Sequence, residues 1–80
     1  MRLISQRSLS NYVDSPYNRV WLEVVNNEVK AYDGIQYAIL GKYSSHDNAV
    51  KSIEELHKKI EQQGNITDYR IFVFPEDEEL

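Results

Sequence analysis

Residues 44–64, SSHDNAVKSIEELHKKIEQQG, decide the fold, because every local signal in them agrees on one α-helix. Ala49, Ile53, Leu56 and Ile60 recur at spacings of four, three and four, which lays them along a single stripe. Ser44 or Ser45 can accept from the free N–H groups of the first turn, and Asp47 adds negative charge there. Lys58 and Lys59 sit near the last turn, and Gly64 offers the left-handed residue that ends it. Asp47–Lys51, Glu54–Lys58 and Glu55–Lys59 are acid-before-base pairs at i,i+4, each adding about 0.3 kcal/mol. Burying Ile53, Leu56 and Ile60 is worth about 1.5–3 kcal/mol each at the upper end of area estimates.

Working back from the helix, residues 20–40 read as strands. Val20 to Val25, VWLEVV, is rich in β-branched and aromatic residues. Asn26-Asn27, then EVKAY, then Asp33-Gly34, then IQYAIL follow, and both dipeptides tolerate the positive φ of two-residue hairpin turns. The pattern predicts an antiparallel meander with Val24 opposite Val29, Glu23 opposite Lys30, Leu22 opposite Ala31 and Trp21 opposite Tyr32. One face then gathers Val20, Leu22, Val24, Val29, Ala31, Ala38 and Leu40, and the helix stripe packs on it. The other face gathers Trp21, Glu23, Lys30, Tyr32, Ile35, Tyr37 and Ile39. A one-residue slip would exchange the faces of the third strand.

The remaining segments are less regular. Arg2–Ser5 is a short edge-strand candidate. Residues 6–17 read as a connector, broken by Ser8, Ser10, Asn11, Asp14, Ser15 and Pro16, that lies on the body through Leu9, Tyr12, Val13 and Tyr17. After Gly64, residues 65–68 turn the chain, Tyr69–Phe74 forms a last strand that is covered on both faces or lies inside the sheet, and Pro75 stops it. The expectation is therefore an α+β fold: an antiparallel meander plus one long helix packed on one face and a final strand, in the order ββββαβ or βββαβ. Residues 1–75 form the single domain and 76–80 an acidic tail, either solubilising or docking on a partner's basic patch.

Composition narrows the function classes. Eighty residues hold one small core and no cysteine, hence no disulfide framework or thiol chemistry. Residues 1–75 carry nine acidic and nine basic side chains, so Glu76–Glu79 supply the whole net charge of −4. No surplus of Lys or Arg exists to neutralise phosphates, which argues against nucleic acid and anionic membranes. MRLISQRSLS lacks a signal peptide's apolar region, and no apolar run reaches membrane-spanning length, so the expected location is cytoplasmic. Without an export signal, Asn65-Ile66-Thr67 is a chance match to the glycosylation pattern.

Nothing in the pattern indicates catalysis, a cofactor, a metal or a small-molecule ligand. His46 and His57 fall roughly 16 Å apart along a helix axis, too far for one ion. Glu54 and Glu55 have lysine partners one turn on and read as a solvated face. None of the three glycines forms a phosphate-binding pattern. The aromatic content, six Tyr, one Trp and two Phe, is the unusual feature, and aromatics are favoured at recognition surfaces. One helix covers one sheet face, which leaves Trp21, Tyr32, Tyr37 and Ile39 as the candidate protein-binding residues, for a partner protein or a second copy. The alternatives are a face covered internally by residues 6–17, or a single-stranded nucleic-acid binder stacking bases on the same rings.

Several short motifs run in a familiar order: MRLIS at the start; Asp14, Pro16, Tyr17 and Val20; Leu40, Gly41, Tyr43, Ser44, Ser45 and Ala49; and Phe74, Pro75, Asp77, Glu78 and Glu79. In these, end to end, the chain resembles a small family of uncharacterised proteins of Gram-positive bacteria and their phages and prophages. Some of those proteins carry a longer segment between helix and final strand. The resemblance implies a phage or prophage setting in a bacterial cytoplasm. It implies no activity and no catalytic residues.

Overall fold

A computed structural model describes residues 1–63, without the side chain of residue 63, and residues 70–80. The expected Gly64 cap, the 65–68 turn and the Tyr69 start of the last strand lie outside the described residues. The molecule is α+β. An antiparallel meander, β3 (Trp21–Val25), β4 (Glu28–Asp33) and β5 (Gln36–Lys42), is followed by one helix, α1 (His46–Gln63). Three shorter strands form a second, mixed sheet in the order β2-β1-β6: β1 (Arg2–Ile4), β2 (Asp14–Pro16) and β6 (Ile71–Val73). β1 runs antiparallel to β2 and parallel to β6.

The long helix, the meander and the existence of a final strand stand as the sequence indicates. The structure adds β2 from within the connector and divides the strands between two sheets. It puts β1 at the centre of the second sheet rather than at an edge, and leaves β6 at its edge with Ile71 exposed rather than covered on both faces or inside the sheet. Nothing local in a three-residue strand announces a parallel partner some seventy residues away.

In the first hairpin Trp21 lies opposite Tyr32, Leu22 opposite Ala31, Glu23 opposite Lys30 and Val24 opposite Val29. Asn26 takes φ 56° at the first loop position. The second loop is Gly34-Ile35 rather than Asp33-Gly34, since Asp33 pairs with Gln36 and Gly34 takes φ 68°. Ile35 therefore sits at the loop tip, 98% exposed, and not on the sheet face. The two-residue displacement keeps side-chain parity, so Tyr37 still faces with Tyr32 and Ala38 with Ala31. A bulge follows: Ile39 pairs with Lys30 and Gly41 with Val29, leaving Leu40 as the extra residue, turned wholly into the core.

Helix α1 packs on β3 and β4. Ser45 is its cap, with the Asn48 N–H donating to Ser45 Oγ at 3.1 Å. Of the anticipated helix pairs, Lys58 bonds Glu55 at 3.4 Å instead of Glu54, and Lys59 leaves the helix to donate to the Ile71 carbonyl at 3.0 Å. The core joins both sheets and the helix: Met1, Leu3, Val29, Ala31, Leu40, Tyr43, Ala49, Leu56, Phe72 and Phe74 are buried together. Val20, Leu22, Val24, Ile53 and Ile60 are half-buried around it.

The two sheets meet at Gln6, 2% exposed. Its N–H donates to the Leu40 carbonyl at 2.8 Å, its Oε1 accepts from the Lys42 N–H at 2.6 Å, and its Nε2 donates to the Pro75 carbonyl at 2.9 Å. Tyr43 donates its hydroxyl to that same carbonyl at 2.8 Å.

The acidic end is not a free tail. Asp77–Glu79 form a 3₁₀ turn closed by a capping box between Glu76 and Glu79. Asp77 accepts from the Ser44 N–H, from Ser44 Oγ and from Asn48 Nδ2 at 2.9–3.2 Å, and Glu76 accepts from the Ser8 N–H at 3.2 Å. Four carboxylates in a row gave no local sign that free donors at the helix start would hold them.

Candidate protein interface

The face of the meander turned away from α1 is a three-by-three grid set by strand pairing. Trp21, Tyr32 and Tyr37 form its first row, Glu23, Lys30 and Ile39 its second, and Val25, Glu28 and Lys42 its third. In the first row the Trp21 and Tyr32 rings stack with centroids 5.3 Å apart and planes 18° from parallel. Tyr32 and Tyr37 follow at 5.4 Å, tilted by 43°. Such contacts contribute about 0.5–1.5 kcal/mol each beyond the area they bury. Each ring is held by a cross-strand neighbour, so the ladder is ordered before anything meets it.

The ladder is open to solvent. Trp21 is 57% exposed and Tyr37 53%, with Tyr32 half-buried between them. Ile39 lies one row along, half-buried, where Leu9 and Val13 border a groove of about 480 Å³ with Tyr37 and Lys42. Residues 6–17 thus flank the β5 edge and leave the rings uncovered; Tyr12, one of the expected covering residues, is itself exposed. The structure brings three of the four candidate residues into one ladder and places Ile39 beside it.

The charges on this face are spent locally. Lys30 holds its ammonium 4.5 Å from the centre of the Tyr37 ring, and Lys42 pairs with Glu28 at 3.7 Å. Arg70 precedes β6 in the other sheet, where its carbonyl accepts from the Arg2 N–H.

A second apolar feature lies on the opposite side of β3. Val20, Leu22, Val24 and Ile53, with Tyr17 and His57, line an open groove of about 450 Å³ between the strand and α1. The sequence placed these aliphatic residues in the core; they are half-buried because β3 is the outermost strand of its sheet.

Among the described residues no three His, Asp or Glu side chains are grouped to hold a metal ion, and no helix is long and apolar enough to cross a membrane. Two groups among the described residues have displaced acidities, and both belong to the seam between the sheets. Burial pushes the Tyr43 phenol up to about 12, and the Ser44 and Asn48 donors hold the Asp77 carboxyl below its usual range. No family model, curated protein or solved structure matches the chain.

Proposed function

We propose that the chain is a non-enzymatic protein-interaction module that recognises its partner through Trp21, Tyr32, Tyr37 and Ile39. The observation that carries this reading is the ordered, exposed ladder, since rings already fixed in place lose little freedom when a partner covers them. Large aromatics in such a setting are the residues that dominate binding energy at protein interfaces. The occupant that fits is a protein with an apolar surface edged by charges of both signs, matching Glu23 and Glu28 beside Lys30 and Lys42. Single-stranded nucleic acid fits less well, because the two lysines of this face, Lys30 and Lys42, are balanced by Glu23 and Glu28 and leave no net positive charge for phosphates. The family resemblance supports a phage or prophage accessory role in a bacterial cytoplasm.

Trp21 is the only tryptophan and reports on the face directly. Its emission in the free protein should be quenched by iodide, and a partner purified on the immobilised protein should shift that emission to the blue. The Trp21→Glu variant should keep its helical circular dichroism and lose the partner. Unfolding of that variant would show an internal face and end the proposal, as would retention of a single-stranded oligonucleotide on a filter at low salt.

A further inference from the structure

Sheet edges attract other strands unless something blunts them, and among the described residues the edge of β3 is the least protected. β2 is three residues long and ends in Pro16. β6 is three residues long, with Lys59 donating to the Ile71 carbonyl. β5 is closed at its Leu40–Lys42 end by Gln6, whose backbone and side chain bond the Leu40 carbonyl and the Lys42 N–H, and Leu9 and Val13 flank the rest of its edge. β3 has five residues, and among the described residues nothing bonds to its outer edge. Val20 extends it further, at φ −126° and ψ 157°. The stretch VWLEVV contains no Pro, Gly or Lys.

Which backbone groups are free follows from the hairpin. Val25 and Glu28 close a two-residue loop and so exchange both of their backbone bonds. Alternation turns Glu23 and Trp21 toward β4 as well, and points the N–H and C=O groups of Val24, Leu22 and Val20 outward.

We infer that the β3 edge pairs with the β3 edge of a second copy, antiparallel about a two-fold axis at Leu22, to make one six-stranded sheet. Three in-plane registers, with the axis at Trp21, Leu22 or Glu23, bring free groups of both copies together, and an axis at Trp21 engages only Val20 and Leu22 of each. An axis at Glu23 sets two carboxylates face to face, which is unfavourable. An axis at Leu22 avoids this: each Glu23 lies opposite a Trp21, and Leu22 opposite its counterpart exchanges both bonds. Val20 opposite Val24 completes an all-apolar inner row, which covers the groove of about 450 Å³ beside Ile53 in each copy. On the other face the two Trp21 residues become diagonal neighbours roughly 7–8 Å apart, extending the ladder from one copy to the next. This goes beyond the reading of the aromatic face, because it stands on the strand edge and needs nothing bound to the rings.

The chain lacks cysteine, so single-cysteine variants report the pairing cleanly. In the inferred register the two Leu22 Cα atoms are roughly 5.5 Å apart, within disulfide reach, whereas the two Glu23 positions are diagonal and out of reach. Light scattering of the unmodified protein should give twice the 9.4 kDa chain mass. Mild oxidation should crosslink Leu22→Cys, with helical circular dichroism retained, and not Glu23→Cys. Tyr37→Glu, on the far strand, should remain a dimer. A monomer at all concentrations overturns the inference, and so does crosslinking at position 23 in place of 22. A Tyr37→Glu protein that is folded but monomeric would overturn it too, by assigning self-association to the aromatic face.

Discussion

Gln6 does the work of a missing strand. Its backbone bonds β5 once, its side chain bonds β5 again, and its amide reaches Pro75 beyond β6. Replacing it with leucine keeps the bulk but leaves the part-buried Lys42 N–H without its acceptor, while the Pro75 carbonyl retains the Tyr43 hydroxyl. One unmatched buried donor costs about 1–3 kcal/mol, which urea unfolding should resolve against an exposed control such as Tyr12→Ser. Tyr43 makes the complementary prediction. Its phenol pKa rises from 10.0 in the unfolded chain to about 12 in the fold, so its contribution is whole below pH 10. That contribution drains away as pH climbs from 10 toward 12, where a phenolate would lose its bond to Pro75 and face Glu76 and Asp77. Tyr43→Phe should flatten that alkaline limb in a series of unfolding curves, at the cost of one hydrogen bond, about 0.5–1.5 kcal/mol. Neither role was legible in the sequence. A glutamine inside a polar connector carries no periodic signal, and its partners lie 36 and 69 positions away. Gly41 does carry a readable trace: a Cβ there would come within 2.6 Å of the Tyr43 ring, which is why a glycine stands beside this tyrosine.

Legibility at the scale of elements followed how local the determinants are. The first hairpin register was readable because Trp21–Tyr32, Glu23–Lys30 and Val24–Val29 are mutually consistent across a short loop. The third strand kept its faces through a shifted loop and lost one residue to a bulge, which no pairwise rule anticipates. The candidate ladder was readable for the same reason, since it needs only side-chain parity in one meander. The second sheet was not, because its three-residue strands are held by segments remote in the chain. The acidic end was misjudged because its partner is a helix terminus: Ser45 caps the Asn48 N–H, and Asp77 takes up the Ser44 donors and the Asn48 amide. The Asp77 carboxyl is held below its usual value by those donors, so its contribution is present above the unfolded-chain value and lost as pH falls through the folded one. Asp77→Asn should therefore lower the melting temperature at neutral pH and blunt its fall on acidification. If both proteins lose stability in parallel below the carboxylate range, the latch is not what acid releases.

At the scale of the whole molecule, the question is whether two three-stranded sheets amount to one cooperative unit. Isolated pieces this small bury too little to stand alone. Here Phe72 and Phe74, on and just beyond β6, meet edge to face at 5.0 Å and are buried with Leu3 of β1, Val29 and Leu40 of the meander, and Leu56 of the helix. A side chain buried in a cluster that every layer shares cannot be removed without weakening that cluster. Phe74→Ala should cost about 3–5 kcal/mol through lost burial and the cavity left behind. A domain of this class holds roughly 5–15 kcal/mol in total, and eighty residues place it toward the lower end. The variant should thus be close to unfolding at room temperature, with helix ellipticity and Trp21 fluorescence lost together although Trp21 lies in the other sheet. If the two signals separate, with the meander and helix melting at the original midpoint while β1 and β6 fray, the sheets are independent and the Gln6 seam does not couple them.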